Sequence, residues 1–176
     1  INTTDINSFE IVGSFRRGAT DSGDIDIIVT GETSIPFNNF LNYLETNNII
    51  VESLSRGNAK SLTIAKLNNT SIPRRVDFLY SSIEEYPFAV LYFTGSKYFN
   101  TAMRLHALNM NYTLNEHGLY NIKKQDNKII KYSKVLFPFS CEKDIFEFLN
   151  IQYVEPQNRI DASSVVLLPK KIKLKI

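Results

Sequence analysis

The sequence predicts an α/β (α+β) chain, with a mixed-sheet layer around one helix in the first half and a smaller α+β unit behind it. Three observations carry this reading. Short runs of alternating or wholly apolar residues recur between positions 9 and 80. One segment among them, with Phe37, Phe40, Leu41 and Leu44, has helical spacing instead. Near Glu84 the composition changes, and two apolar helical runs replace the strands.

Taken in order, Phe9–Val12 reads as a short buried strand that runs into Gly13-Ser14. Asp24–Thr30 alternates Asp, Ile, Asp, Ile and then turns fully apolar, which is the pattern of a strand. Pro36–Thr46 is a helix with proline in its first turn. Ile49–Leu54 and Ser61–Leu67 are two strands linked through Arg56-Gly57-Asn58, and Arg75–Tyr80 is another. Pro87–Tyr92 and Ser96–Met110 are helices broken at Thr94-Gly95, with Ser96 as N-cap of the second. In that second helix Phe99, Ala102, Met103, His106 and Met110 form an apolar stripe, while Lys97, Asn100 and Arg104 share another face. Short strands follow at Tyr112–Leu114, Leu119–Ile122 and Lys128–Tyr132. Glu142–Leu149 is a last short helix, with Ser140 as its capping residue.

Composition excludes several classes. The chain has 176 residues, 43% hydrophobic and 22% charged, with twelve Phe and nine Tyr, enough to bury a core. No apolar run approaches the ~18 residues that a membrane span needs. Cys141 is the single cysteine, so no internal disulfide forms. With only His106 and His117 beside it, it cannot complete a four-ligand zinc site. Lys123, Lys124, Lys128, Lys131 and Lys134 face only Asp126 in their stretch, and Lys170, Lys171, Lys173 and Lys175 crowd the tail. Such local positive charge on a chain of net charge +2 suits a polyanionic partner. The chain begins with Ile and shows no secretory signal, which reads as a fragment of something longer. Its abundance of Asn, Ile and Lys matches an AT-rich genome.

The strongest chemical signal is Gly13-Ser14-Phe15-Arg16-Arg17-Gly18 followed by Gly23-Asp24-Ile25-Asp26. Glycines and a serine after a strand make a turn whose backbone N–H groups can point at a phosphate, and Arg17 could grip its oxygens. Asp24 and Asp26 fall on the same side of a strand, where two carboxylates repel unless a divalent cation neutralises them. Asp77 and Arg75 share one face of a later strand. If that strand neighbours the first, three carboxylates meet, which is what a pair of magnesium ions requires.

These motifs, with Arg74-Arg75-Val76-Asp77, resemble the palm of the family X DNA polymerases, the polymerase beta group. The resemblance continues through Val90-Leu91-Tyr92-Phe93-Thr94-Gly95-Ser96, Phe99-Asn100, Met103-Arg104, His106-Ala107-Leu108, Asn115-Glu116, Glu142-Lys143-Asp144-Ile145-Phe146 and Tyr153-Val154-Glu155-Pro156. It implies a nucleotidyltransferase-type palm over residues 1–84, a C-terminal thumb or fingers subdomain over 85–160 and a basic tail over 161–176. It implies that Asp24 and Asp26 bind both of two Mg²⁺ ions, for which Mn²⁺ can substitute, and that Asp77, hydrogen-bonded to Arg75, binds the catalytic one. Gly13, Ser14, Arg17 and Gly23 would hold the triphosphate, and Tyr92, Phe93 and Gly95 would pack under the nucleotide sugar. Asn100 would meet the incoming base, Arg104 the template strand, Lys97 the neighbouring DNA or nucleotide, and Glu116 would support the closed form. The chain departs from the family pattern at Leu79, Lys97, Thr101 and His117, which concern base reading and closure.

The implied function is a DNA-directed DNA polymerase that adds deoxynucleotides to a primer 3′-end in short-gap, base excision repair. Its partners are gapped or primer–template DNA and deoxynucleoside triphosphates, with no membrane. A monomer is expected, inside the cell, in the nucleus or at the replication site of a large DNA virus. The alternatives are template-independent nucleotide addition, or a fragment or non-catalytic DNA-binding module that works only within a longer chain. The family's lyase and helix-hairpin-helix regions have no counterpart in these residues.

Overall fold

A computed structural model describes residues 6–68, 70–125 and 128–169. The first half builds a five-stranded sheet in the order β1-β2-β5-β4-β3. Its strands are β1 (Ser8–Ile11), β2 (Ile25–Gly31), β3 (Ile50–Arg56), β4 (Lys60–Ala65) and β5 (Arg74–Ser82). Only β2 and β5 run parallel; the other neighbours are antiparallel. The parallel pair is separated in sequence by helix α2 (Ile35–Thr46) and the β3–β4 hairpin, because parallel strands need a long crossover.

Alternation sorts the side chains of this sheet. Val29, Val76 and Phe78 point to one face and pack with Phe37, Leu41 and Leu44 of α2. Ile28 and Leu79 point to the other, where Val12 and the helix α3 (Tyr86–Thr94), through Ala89 and Val90, cover them. Asp26 and Asp77 lie on that second face but beyond the edge of α3. The face is thus apolar core at one end and carboxylate-bearing at the other.

The structure adjusts several sequence expectations. A single helical turn, α1 (Gly13–Arg16), forms where only a turn was expected. Strand β4 stops at Ala65, and Leu67 is 90% exposed. Asn68 nucleates a turn there, its Oδ1 accepting the backbone N–H groups of Thr70 and Ser71 at 3.0 and 2.8 Å. Strand β3 runs on to Arg56, whose guanidinium donates to Glu45 and Asn42 of α2, both at 2.7 Å.

The second half packs α3, α4 (Lys97–Asn109), a three-stranded sheet and α5 (Glu142–Phe148) around Phe88, Phe99, Met103, Leu119, Phe146 and Leu149. The sheet order is β6-β7-β8, with β6 Tyr112–Asn115, β7 Gly118–Gln125 and β8 Lys128–Lys134. Ser96 caps α4 as expected, accepting from the Phe99 N–H at 3.3 Å. His106 is a satisfied core histidine, with Nε2 2.8 Å from the Leu149 carbonyl. The cap of α5 is Cys141, not Ser140: the Asp144 carboxylate accepts both their N–H groups, at 3.0 and 2.7 Å. Lys123, Lys128 and Lys131 are exposed on the β7–β8 hairpin. Asp126 and the tail lysines 170, 171, 173 and 175 lie outside the described residues. No helix among the described residues is long and apolar enough to cross a membrane.

Candidate active site

The site stands on the parallel pairing of β2 and β5, whose register sets Asp26 directly opposite Asp77. Asp24 lies immediately before β2. Same-register residues of parallel strands point to the same side, so both carboxylates lie on one face of the sheet. Asp77 is buried, with 3% of its surface exposed. Burial, then Asp24, then Asp77 raise the pKa of Asp26 above the usual carboxylate value; Lys60 and Arg75 pull the other way.

Arg75 is the cation that pairs with Asp77. Its Nε and Nη2 donate to the two oxygens of Asp77, each at 3.1 Å, and Nε lies 3.9 Å from Asp24 Oδ2. This fork occupies the Asp77 carboxylate. Among the described residues no three His, Cys, Asp or Glu side chains close up into a group that could hold a metal ion. The expected meeting of three carboxylates is therefore present as neighbouring strands and shared charge, but Arg75 stands where the side chains would close. Their donors nonetheless fit a hard divalent cation, since all are carboxylate oxygens; the pKa of Asp26 is raised first by burial and then by its neighbours Asp24 and Asp77.

The glycine-serine turn abuts this group. Gly13 has φ +70°, and a Cβ there would lie 2.6 Å from Asp26 Oδ2. Glycine thus serves both the backbone angle and the close approach of the carboxylate. Ser14 Oγ is 3.1 Å from Ser22 Oγ, and Gly23 borders open space. Arg17 reaches across to the end of α3, where its Nη1 donates to the Thr94 carbonyl at 2.5 Å. Gly95 has φ +70°, a backbone angle that favours glycine, and a Cβ there would crowd Arg17 Nη1 at 3.3 Å. A surface cavity of about 370 Å³ opens here between Ser14, Arg17 and Gly18 on one side and Ser96, Gln157 and Ile160 on the other.

The structure does not gather the remaining sequence-nominated residues equally. Tyr92 and Phe93 are half-buried, ring edge to face at 5.2 Å, next to Gly95. Asn100 is turned to protein: its Nδ2 donates to the Tyr92 carbonyl at 2.6 Å. Lys97 and Arg104 are exposed on the same helix. Arg104 borders a narrow cleft with Tyr92, Asn100 and Asn115. Glu116 sits apart, in the β6–β7 turn, 4.0 Å from His117, which in turn approaches Glu85 at 3.3 Å. Sequence reading missed Arg16, Thr94, Glu142 and Arg159, which form a connected cluster behind the turn. Arg16 stood in the quoted motif; nothing in the one-dimensional pattern separates it from Arg17.

The DNA polymerase beta palm family model matches residues 3–82, and the DNA polymerase beta thumb model residues 89–160. Together they account for both sheets. The chain belongs to the DNA polymerase beta family, the family X polymerases. Among its relatives is DNA polymerase lambda of Rattus norvegicus, 30% identical over 158 residues, covering 84% of this chain and 28% of that protein. DNA polymerase lambda of Arabidopsis thaliana is 28% identical over 163 residues, covering 84% and 31%. DNA nucleotidylexotransferase of Xenopus laevis is 27% identical over 190 residues, covering 85% and 36%. The chain thus spans roughly a third of the length of these relatives.

Proposed function

We propose that this chain carries the nucleotidyl-transfer centre of a template-directed DNA polymerase that extends a primer 3′-end across short gaps, as in base excision repair. The observation that carries the reading is the β2–β5 register, which sets Asp26 opposite Asp77 beside a turn bearing Ser14 and Arg17. Residues 1–84 serve as the palm and 85–160 as the thumb or fingers subdomain, with 161–176 as a basic tail.

Asp24, Asp26 and Asp77 would hold two divalent cations, magnesium or manganese, which supply charge neutralisation at the transferring phosphate and a more acidic primer hydroxyl. Arg75 orients the Asp77 carboxylate through two hydrogen bonds, and would yield at least part of this fork for Asp77 to serve as a metal ligand. Ser14 and Arg17 bind the triphosphate in the cavity they line. Gly13 lets the turn lie close against Asp26, and the Gly23 backbone adds to the triphosphate clamp. Tyr92, Phe93 and Gly95 form the floor under the sugar. Asn100, once released from the Tyr92 carbonyl, and Arg104 reach the new base pair; Lys97 adds positive charge beside them. Glu116, near His117, belongs to the face that moves on closure. No side chain needs to form a covalent intermediate: the protein contributes position and electrostatics.

The similarity to a nucleotidylexotransferase favours a second reading, in which the same centre adds nucleotides without a template. One assay separates the two. On one-nucleotide-gapped DNA with all four deoxynucleotides supplied singly, the first reading predicts incorporation of the complementary nucleotide alone and little extension of a single-stranded primer. Indiscriminate extension of the single strand would favour the second. No incorporation on either would mean that the centre works only within a longer chain or not at all.

A further inference from the structure

The β7–β8 hairpin outgrows the sheet that carries it. Strand β6 has four residues and pairs only with Gly118–Asn121 of β7. From Lys123 to Gln125, and across from Lys128 to Ile130, the hairpin has no third strand among the described residues and runs on as a two-stranded ribbon. Ile122 is buried at its root, whereas Lys123, Lys128 and Ile130 beyond it are exposed. At the same root Lys134 pairs with Glu84, in the turn between β5 and α3, at 3.5 Å. A two-stranded ribbon is at best marginally stable by itself in water, so packing against the core does not account for its length.

Its charge is one-sided. Lys123, Lys124, Lys128, Lys131 and Lys134 are five of the 20 lysines and arginines, gathered in one short stretch of a chain whose net charge is +2. Strands β7 and β8 contain no acidic residue. Register sets Lys123 opposite Ile130 and Gln125 opposite Lys128, so Lys123 and Lys128 are diagonal neighbours on one face. Lys131 stands opposite Ile122, on the other face, with its Nζ 3.1 Å over the ring of Tyr120. Among the described residues no carboxylate pairs with Lys123, Lys128 or Lys131. Like charges across a ribbon repel, and here nothing on the chain offsets them.

We infer that the β7–β8 ribbon is a second DNA-binding element, which grips the phosphates of duplex DNA outside the triphosphate cavity. It takes from the proposed function only that DNA is the partner. Shape and charge agree on this occupant. The major groove of duplex DNA admits a two-stranded β-ribbon, and phosphates line it on both sides. Cations on both faces of the ribbon then each meet a phosphate wall, whereas a flat acidic surface would use one face only. Duplex DNA carries one negative charge per roughly 1.7 Å of its axis, so each lysine finds a counter-charge without a special register. Phosphate contacts carry no sequence information, which suits an enzyme that extends primers of any sequence.

The test uses the whole chain and two triple variants. One combines Lys123→Gln, Lys128→Gln and Lys131→Gln; the other places arginine at the same three positions. Affinity for one-nucleotide-gapped duplex, and for a single-stranded oligonucleotide of the same length, is read by fluorescence anisotropy across a range of KCl, without nucleotide or metal. The glutamine variant should lose about thirtyfold in affinity for the gapped duplex at about 50 mM KCl and no more than about threefold at about 200 mM. The slope of log affinity against log salt should fall by about two, and the arginine variant should stay within about threefold of wild type. With DNA saturating, kcat and KM for the nucleotide should not move, because the ribbon lies outside the cavity. Unchanged affinity and salt slope in the glutamine variant would overturn the inference. So would an equal loss on the single strand, which has no groove, or an equal loss in the arginine variant, which would mark misfolding. A wild type that binds the gapped duplex through the ribbon but incorporates nothing would remove the polymerase reading and leave this inference standing. A wild type that extends primers while the glutamine variant binds equally well would do the reverse.

Discussion

Asp26 sits half-buried between Asp24 and Asp77, and its raised pKa means that the folded chain holds a proton there more tightly than the unfolded one does. Linkage then fixes the sign. Below the usual aspartate pKa both states are protonated and the strain is absent. As pH rises through the unfolded value toward the raised folded value, ionisation of Asp26 lowers stability, and the penalty is complete above it. Asp26→Asn should therefore raise the melting temperature at pH 7.5 by roughly 2–4 °C, with little change near pH 3. Magnesium should raise the melting temperature of the wild type and not of the variant. A variant that melts lower than wild type at pH 7.5 would show that the carboxylate is stabilising and not held under repulsion. At this scale the sequence was most legible. Three aspartates and Gly13-Ser14 could be nominated because strand alternation and the needs of a phosphate turn are local. The resemblance also implied a hydrogen bond from Arg75 to Asp77; that Arg75 takes both carboxylate oxygens is legible only in the structure.

The strands and helices themselves were readable where their pattern was long. Helix α4 is the clearest case: of the stripe Phe99, Ala102, Met103, His106 and Met110, Phe99 and Met103 are buried and the other three half-buried, with Ala107 also buried beside them. Phe99 is fully buried, stacked on Phe146 at 6.1 Å and beneath Arg159. Phe99→Ala should cost about 3–5 kcal/mol of stability, measured by urea unfolding, because the cavity lies among α4, α5 and the C-terminal segment, which cannot all collapse into it. A loss under about 1 kcal/mol would mean that the second unit repacks freely. Where the pattern was short, tertiary partners set the ends. Strand β3 ran on because α2 holds Arg56, and β4 stopped early because Asn68 turns the chain. The one-turn helix α1 escaped notice altogether. Four residues carry no periodicity, and only the packing of Arg16 and Arg17 against Thr94 reveals why the turn is wound.

At the scale of the molecule, one sheet face does two jobs. Ile28 and Leu79 are sealed beneath α3, while two residues earlier on the same strands the face carries the half-buried Asp26 and the buried Asp77. The second unit is attached beside that end by Glu142, and the cavity between them brings the glycine-serine turn to Gly95 and Ser96. None of this long-range arrangement follows from periodicity; the sequence reached it only by its resemblance to the polymerase beta family. The central claim is that the paired carboxylates of β2 and β5 carry nucleotidyl transfer. It is tested most directly by single-nucleotide incorporation into one-nucleotide-gapped DNA with magnesium, comparing wild type with Asp26→Asn and Asp77→Asn. The account predicts turnover by the wild type and a loss of about 10³-fold or more in each variant, with the fold intact by circular dichroism. Near-normal turnover in either variant would contradict it.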